Sequence, residues 1–159
     1  MKLYFGFGAN RDPDMLRAIT GQTCLHFPAA INGWQLCIEH LNDIPRKVQS
    51  TLRRAWGGNF VSYGIVKQPT GRVSGRLWLL TNAQRRAVRN WEFVGTWSHQ
   101  VAVKAEIKIL GLKFLVDAET EHLARQKVEP VDGLQYPTFL VPKEQIIMTA
   151  NNVRSFTPR

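Results

Sequence analysis

Cysteine, acidic residues and long apolar runs are all scarce in this chain. Its two cysteines, Cys24 and Cys37, make no Cys-x-x-Cys pair in 159 residues. Neither a disulfide-stapled scaffold nor a thiolate metal site is therefore expected, and both thiols read as reduced and buried. Four histidines, His26, His40, His99 and His122, are scattered without zinc-ligand spacing, so no metal is expected. No apolar stretch approaches the ~18 residues of a membrane span. The opening one is too short and too broken by glycine to be a signal peptide. A cytoplasmic protein with no membrane partner is the expectation. Asp and Glu total 12 against 21 Lys and Arg, a net charge of +9.

Aromatic and aliphatic residues are plentiful: 44% of the chain is hydrophobic, with five Trp and eight Phe, which suits a folded protein. The length suits one domain, residues 1–159, with a real core. No internal repeat, low-complexity tract or linker interrupts it. In the opening stretch, Leu3, Phe5 and Phe7 alternate with smaller or more polar neighbours, as in a half-buried strand. Gly6-Phe7-Gly8-Ala9-Asn10 follows, a loop whose glycines let a ligand approach bare backbone. Asp12-Pro13-Asp14 then supplies an N-cap, a proline at the first helical position and an acid in the first turn, and Gly21 supplies the stop. Strand, glycine loop and helix start together suit a carboxylate, a phosphate or an oxyanion. The loop is not a dinucleotide fingerprint, because Arg11 stands where the third glycine belongs. It also lacks the Gly-Lys-Ser/Thr ending of a P-loop.

Further along, residues 24–28 read as a connector and Trp34, Leu36 and Ile38 as a second strand. Residues 41–58, rich in cations and ending in Gly57-Gly58, read as a long exposed loop. Phe60–Val66 reads as a strand that turns at Gln68-Pro69-Thr70-Gly71, and Val73 to Leu79 as another. Thr81-Asn82-Ala83-Gln84 has the form of a capping box and predicts a helix ending near Trp91-Glu92. On that helix Ala83, Ala87, Val88 and Trp91 share one face, and Arg85, Arg86 and Arg89 the other. Alternation from Val101 to Ile109 and from Leu112 to Val116, around Gly111, predicts a hairpin. Residues 119–128 read as a helix and 129–133 as loop; the remainder is helix or strand. Mostly antiparallel strands with two or three helices make the class α+β, as a small closed or nearly closed barrel.

Two features carry chemistry. Arg53-Arg54, Arg72, Arg76, Arg85-Arg86, Arg89 and Lys104 offer a basic face for nucleic acid or an acidic partner. No helix-turn-helix, zinc finger or RNA-binding aromatic motif accompanies them, and the plainer reading is a solvated surface. Glu92 is an acid among Trp91, Phe93, Val94 and Trp97. Burial and a helix C-terminus both raise a carboxyl pKa toward the range of a general acid–base group. The alternative for Glu92 is a carboxylate that faces solvent or pairs with an arginine such as Arg89. Cys24, Cys37 and Ser98 lack the setting of a hydrolase nucleophile.

In order and spacing these pieces resemble the gamma-glutamylcyclotransferases and their gamma-glutamylamine relatives. Phe7-Gly8-Ala9-Asn10 stands where family members typically read Tyr-Gly-Ser-Asn or Tyr-Gly-Thr-Leu. Gly57-Gly58 matches the family's glycine pair, and Val73-Ser74-Gly75-Arg76-Leu77-Trp78 its next strand. Asn90-Trp91-Glu92 matches the helix end bearing the catalytic glutamate, and Tyr136 in Gly133-Leu134-Gln135-Tyr136 a late tyrosine. The likeness spans about residues 1–140. It implies a small mixed, mostly antiparallel β-barrel with flanking helices and an intramolecular aminolysis. In that reaction the α-amine of a γ-glutamyl amine or peptide attacks its own γ-carbonyl and releases 5-oxoproline. The resemblance implies Glu92 as general acid–base residue and Gly6, Phe7, Gly8 and Ala9 as backbone donors. Asn10, Trp97, His99 and Tyr136 complete the implied substrate contacts. It implies no cofactor, a small-molecule substrate from glutathione or γ-glutamylamine metabolism, and a monomer or homodimer. The alternative is a non-catalytic basic module on the same fold.

Overall fold

Strand β1 (Lys2–Gly6) sits where the opening alternation places it. The computed structural model describes residues 1–123, 128–131 and 142–156. A short 3₁₀ turn, Gly8–Arg11, leads into helix α1 (Pro13–Thr20). Asp12 caps α1 by accepting from the amides of Asp14 and Met15, Pro13 is its first residue, and Gly21 ends it with φ 83°. Local chemistry alone specifies both ends of this helix.

Strands β2 (Leu25–His40) and β3 (Val61–Leu80) are much longer than the sequence patterns suggest. They pair antiparallel from Leu25↔Leu79 to His40↔Val61. The expected connector at 24–28 is therefore largely the start of β2. The expected turn at 68–71 is a bulge: the register slips between Asn32 and Trp34, so four residues of β3 stand opposite Gly33, whose φ is 80°. Glycine and proline there break the ladder locally without reversing the chain. The expected loop at 41–58 is also corrected. After a 3₁₀ turn at Leu41–Asp43 it is helix α2 (Arg46–Trp56), with Val48 and Leu52 buried and its cations outward. Apolar residues at intervals of four, Val48, Leu52 and Trp56, are enough to anchor a helix whose other faces are charged.

Helix α3 (Asn82–Trp91) starts with the Thr81–Gln84 capping box. Strands β4 (His99–Ile109) and β5 (Leu112–His122) form the hairpin around Leu110-Gly111. β5 runs on to His122, so the expected helix at 119–128 is overturned over its first four residues; residues 124–127 lie outside the described ones. Strand β6 (Glu129–Pro130) pairs with β2 at Cys37 and Ile38, in place of the expected loop. Helix α4 (Lys143–Phe156) lies against α1, with Lys143 bonded to Asp12 and Asp14 at 2.9 Å each.

The sheet order is β3-β1-β5-β4-β2-β6, and the β2–β3 pairing returns the ladder to its start. The circuit is mostly antiparallel; β1 and β5 pair parallel at Tyr4↔Glu119. Two apolar clusters result. One lies between strands and helices and includes Tyr4, Leu16, Trp78, Val88, Trp97 and Ile146. The other, including Phe5, Ile31, Trp34, Leu77 and Ala105, fills the inside of the curled sheet. Cys24 and Cys37 are buried and free. No helix among the described residues is long and apolar enough to cross a membrane.

Candidate active site

Helix α3 delivers Glu92 as its last, capping residue and then reverses sharply. Phe93 adopts φ 50°. Its amide donates to the Asn90 carbonyl and that of Val94 to the Arg89 carbonyl, the paired bonds of a Schellman ending. A phenylalanine at a position that favours glycine is strained, and it survives because Phe93 packs against the first cluster. The loop beyond is tied back: Ser98 Oγ donates to the Glu92 carbonyl at 2.8 Å, and the amides of Thr96 and Trp97 donate to the Phe93 carbonyl. The backbone of Glu92 is thus fixed on both sides.

Its carboxylate turns inward rather than to Arg89. Asn10, 3% exposed, donates one hydrogen of Nδ2 to Glu92 Oε1 and the other to the Tyr4 hydroxyl at 3.0 Å. The Asn10 carbonyl in turn accepts from Trp78 Nε1 at 3.0 Å. This lock needs Gly6, where any Cβ would lie 2.6 Å from the Asn10 carbonyl oxygen and 2.8 Å from the Trp78 nitrogen. The turn at residues 8–11 and the end of α3 are thereby joined through one asparagine.

A second carboxylate lies in the same place. Glu121 of β5 is 3% exposed, with Arg85 Nη2 2.7 Å from its Oε1. Arg85, expected on the outer face of α3, is 4% exposed, stacks its guanidinium 4.8 Å over the Tyr4 ring, and also bonds Glu119 at 3.2 Å. A buried arginine needs such partners, and two glutamates on β5 supply them. Burial pushes Glu92 up to about 8, and the neighbouring Glu121 charge pushes the same way, against the Asn10 bond and Arg85. Burial raises Glu121 as well, while Arg85 pulls it back. With the cation beside Glu121, the shared proton belongs mainly to Glu92.

Glu92 and Glu121 line a hollow of about 260 Å³, counting its open mouth, with Phe7, Ser62, Tyr63, Gly64, Trp97, Ser98, His122 and Leu123. Asn10 Oδ1 is a buried acceptor without a hydrogen-bond donor among the described residues, whereas Glu121 has the Tyr4 hydroxyl as well as Arg85 for partners. Trp97 is fixed from behind: its Nε1 donates at 2.6 Å to Glu39 Oε2, a carboxyl with no exposure that burial pushes up to about 7. The floor is tight at Gly64, where a Cβ would come within 2.1 Å of Leu123.

Of the residues singled out from sequence, Glu92, Phe7 and Trp97 line the hollow, and Asn10 lies directly behind Glu92. Gly8, with φ 56°, backs onto Tyr63, its absent Cβ 3.2 Å from that residue's Cβ. Gly8 and Ala9 begin the 3₁₀ turn, so their amides precede its first internal bonds. Ala9 itself packs on the first cluster. His99 is exposed and stands one ring away from the hollow, 6.1 Å from His122. Tyr136 lies outside the described residues. Sequence reasoning missed Tyr4, Arg85, Glu121, Glu39 and Tyr63. The basic face it assembled is also thinned: besides buried Arg85, Arg72 pairs with Glu106, Arg76 meets His26, and Lys104 pairs with Asp117.

No family model and no curated protein sequence matches this chain. Solved structures do. One is a gamma-glutamyl cyclotransferase, 14% identical, with a TM-score of 0.64 over 98% of this chain and 80% of that one. An uncharacterized human protein matches at 15% identity and TM-score 0.62, over 98% and 80%. An Arabidopsis thaliana protein studied in solution matches at 16% and 0.57, over 98% and 89%. At such identities the likeness speaks of architecture, and the architecture of this chain is the gamma-glutamyl cyclotransferase-like fold.

Proposed function

We propose that the hollow is the active site of a cyclotransferase-type lyase that closes 5-oxoproline from a γ-glutamyl amine or peptide. The observation that carries the reading is the floor of the hollow. Two carboxyls, those of Glu92 and Glu121, line it together, where a donor-rich cation such as an α-ammonium would sit. A proton-holding carboxyl near 8 belongs to the same group.

The arriving ammonium must lose two protons, and the departing amine must gain two. Glu92 takes the first, the freed amine attacks the γ-carbonyl, and the new N–C bond forms as the carbonyl oxygen gains charge. The amides of the turn at Phe7–Ala9 are the donors placed for that oxygen or for the α-carboxylate. Glu92 returns its proton to the leaving nitrogen as the old amide bond breaks, then carries the second proton the same way. Nucleophile and electrophile share one molecule, so holding it folded supplies much of the rate. Asn10 orients the acid, and Arg85 with Glu121 sets how firmly it keeps its proton.

The test is 5-oxoproline release from a panel of γ-glutamyl amines and peptides, followed by mass spectrometry. Release is expected, with Glu92→Gln lowering it by about 10²–10⁴-fold or more. In the free enzyme kcat/KM should rise with pH toward about 8, as Glu92 ionises. No release from any member of the panel, or release undiminished in Glu92→Gln, refutes the reading.

A further inference from the structure

At the end of the β4–β5 hairpin, bulky apolar side chains stand in water. Ile109, Leu112, Phe114 and Leu115 are 44–66% exposed and Leu110 is 98% exposed. The cross-strand register sorts them into ranks. Leu110 and Gly111, with φ of 50° and 81°, form the turn. Ile109↔Leu112 is the first rank, Lys108↔Lys113 the second, Ile107↔Phe114 the third and Glu106↔Leu115 the fourth. Like charges directly opposite one another destabilise a ladder. The acid nearest Lys113 is Glu106 at 3.6 Å, which Arg72 already holds at 2.9 Å. Arg72, Lys108 and Lys113 against Glu106 alone leave two positive charges in surplus, directly behind bare leucines.

We propose that this hairpin end docks on an anionic phospholipid surface. Leu110, Ile109 and Leu112 enter the boundary between headgroups and acyl chains, and Lys108 and Lys113 reach the phosphates with their apolar stems beside the leucines. The lysine rank lies two residue steps back from the turn, about 7 Å at ~3.3 Å per residue. That matches the ~5–10 Å to which interfacial elements sink. The opposed lysines, costly in water, become complementary there. A second copy of this chain is a poorer occupant: two ends meeting about a twofold axis would gather four lysines. The absence of a long apolar run excludes a membrane-spanning helix, a criterion that does not bear on a hairpin tip of this size.

The test is cosedimentation with phosphatidylcholine vesicles containing about 30% phosphatidylserine, beside vesicles of phosphatidylcholine alone. Binding is expected only to the first. Leu110→Asp with Leu112→Asp should weaken it at least about ten-fold, and Lys108→Gln and Lys113→Gln about five-fold each. These side chains are exposed, and an unchanged melting temperature of the variants shows that the fold is intact. No binding to the anionic vesicles overturns the proposal. So does binding that the leucine variant leaves intact, which assigns it to the net charge alone, and so does a solution dimer that the same variant dissolves. The assay reads no catalysis, so its outcome is independent of the proposed reaction.

Discussion

Replacing Glu92 by glutamine keeps the shape of the side chain and the acceptor for Asn10 but removes the titrating proton. In the folded protein the carboxyl sits at about 8, against 4.5 for an ordinary glutamate. Between those values the native state holds a proton that the unfolded chain has released, so stability falls as pH rises, by about 1.4 kcal/mol per pH unit for one proton. The contribution is complete below about pH 4.5 and gone above about 8. Across the window it amounts to about 5 kcal/mol, a ceiling because the mouth of the hollow admits water. Glutamine has nothing to lose. The variant should therefore match the parent near pH 5 and exceed it by several kcal/mol near pH 9, about 10–20 °C in Tm at the ceiling for a domain of this size. Urea or thermal unfolding at each pH measures the difference between the two curves. That difference is the proper quantity, because Glu39, raised to about 7, lends both proteins a slope of the same sign. Curves that run parallel from pH 5 to 9 would mean that Glu92 ionises as it does in water, and would refute the raised carboxyl.

Arg85→Ala strips a buried guanidinium from Glu121 and Glu119 and should cost about 3–5 kcal/mol in urea unfolding; Arg85→Ala with Glu121→Ala should cost less than the sum of the singles. Glu39→Ala leaves the buried Trp97 indole without its acceptor, at about 1–3 kcal/mol, and Glu39→Gln should restore most of it. Gly64→Ala drives a methyl into Leu123 and should destabilise by about 1–3 kcal/mol, with Leu123→Ala relieving the clash on a melting curve.

What the sequence made legible was local. The Thr81–Gln84 box, the Asp12-Pro13 start of α1 and the turn at Gly111 each depend on residues within four positions of one another, and each lies where its signal places it. Helix α2 went unread because its cations and Pro45 outweighed three apolar residues at regular spacing. Glu39 went unread because β2 is covered on both faces: Trp34 and Leu36 serve one cluster while Cys37 serves the other. An acid between them gains no outward side from alternation. Arg85 and Glu121 meet across 36 positions, and nothing near either one announces the other. The clue to Glu92 was different in kind, a carboxyl among aromatics at a helix end, and that can be read from four neighbours, Trp91, Phe93, Val94 and Trp97.

Tyr4 and Phe5 are adjacent, yet the first packs against the helices and the second against the interior of the curled sheet. The opening strand is thus a partition with a different tenant on each side. Inserting one residue ahead of Tyr4 would exchange them, sending a phenol among aliphatic side chains and taking the hydroxyl away from Asn10. Substitutions elsewhere trouble one compartment at a time; a slip of a single peptide here empties both.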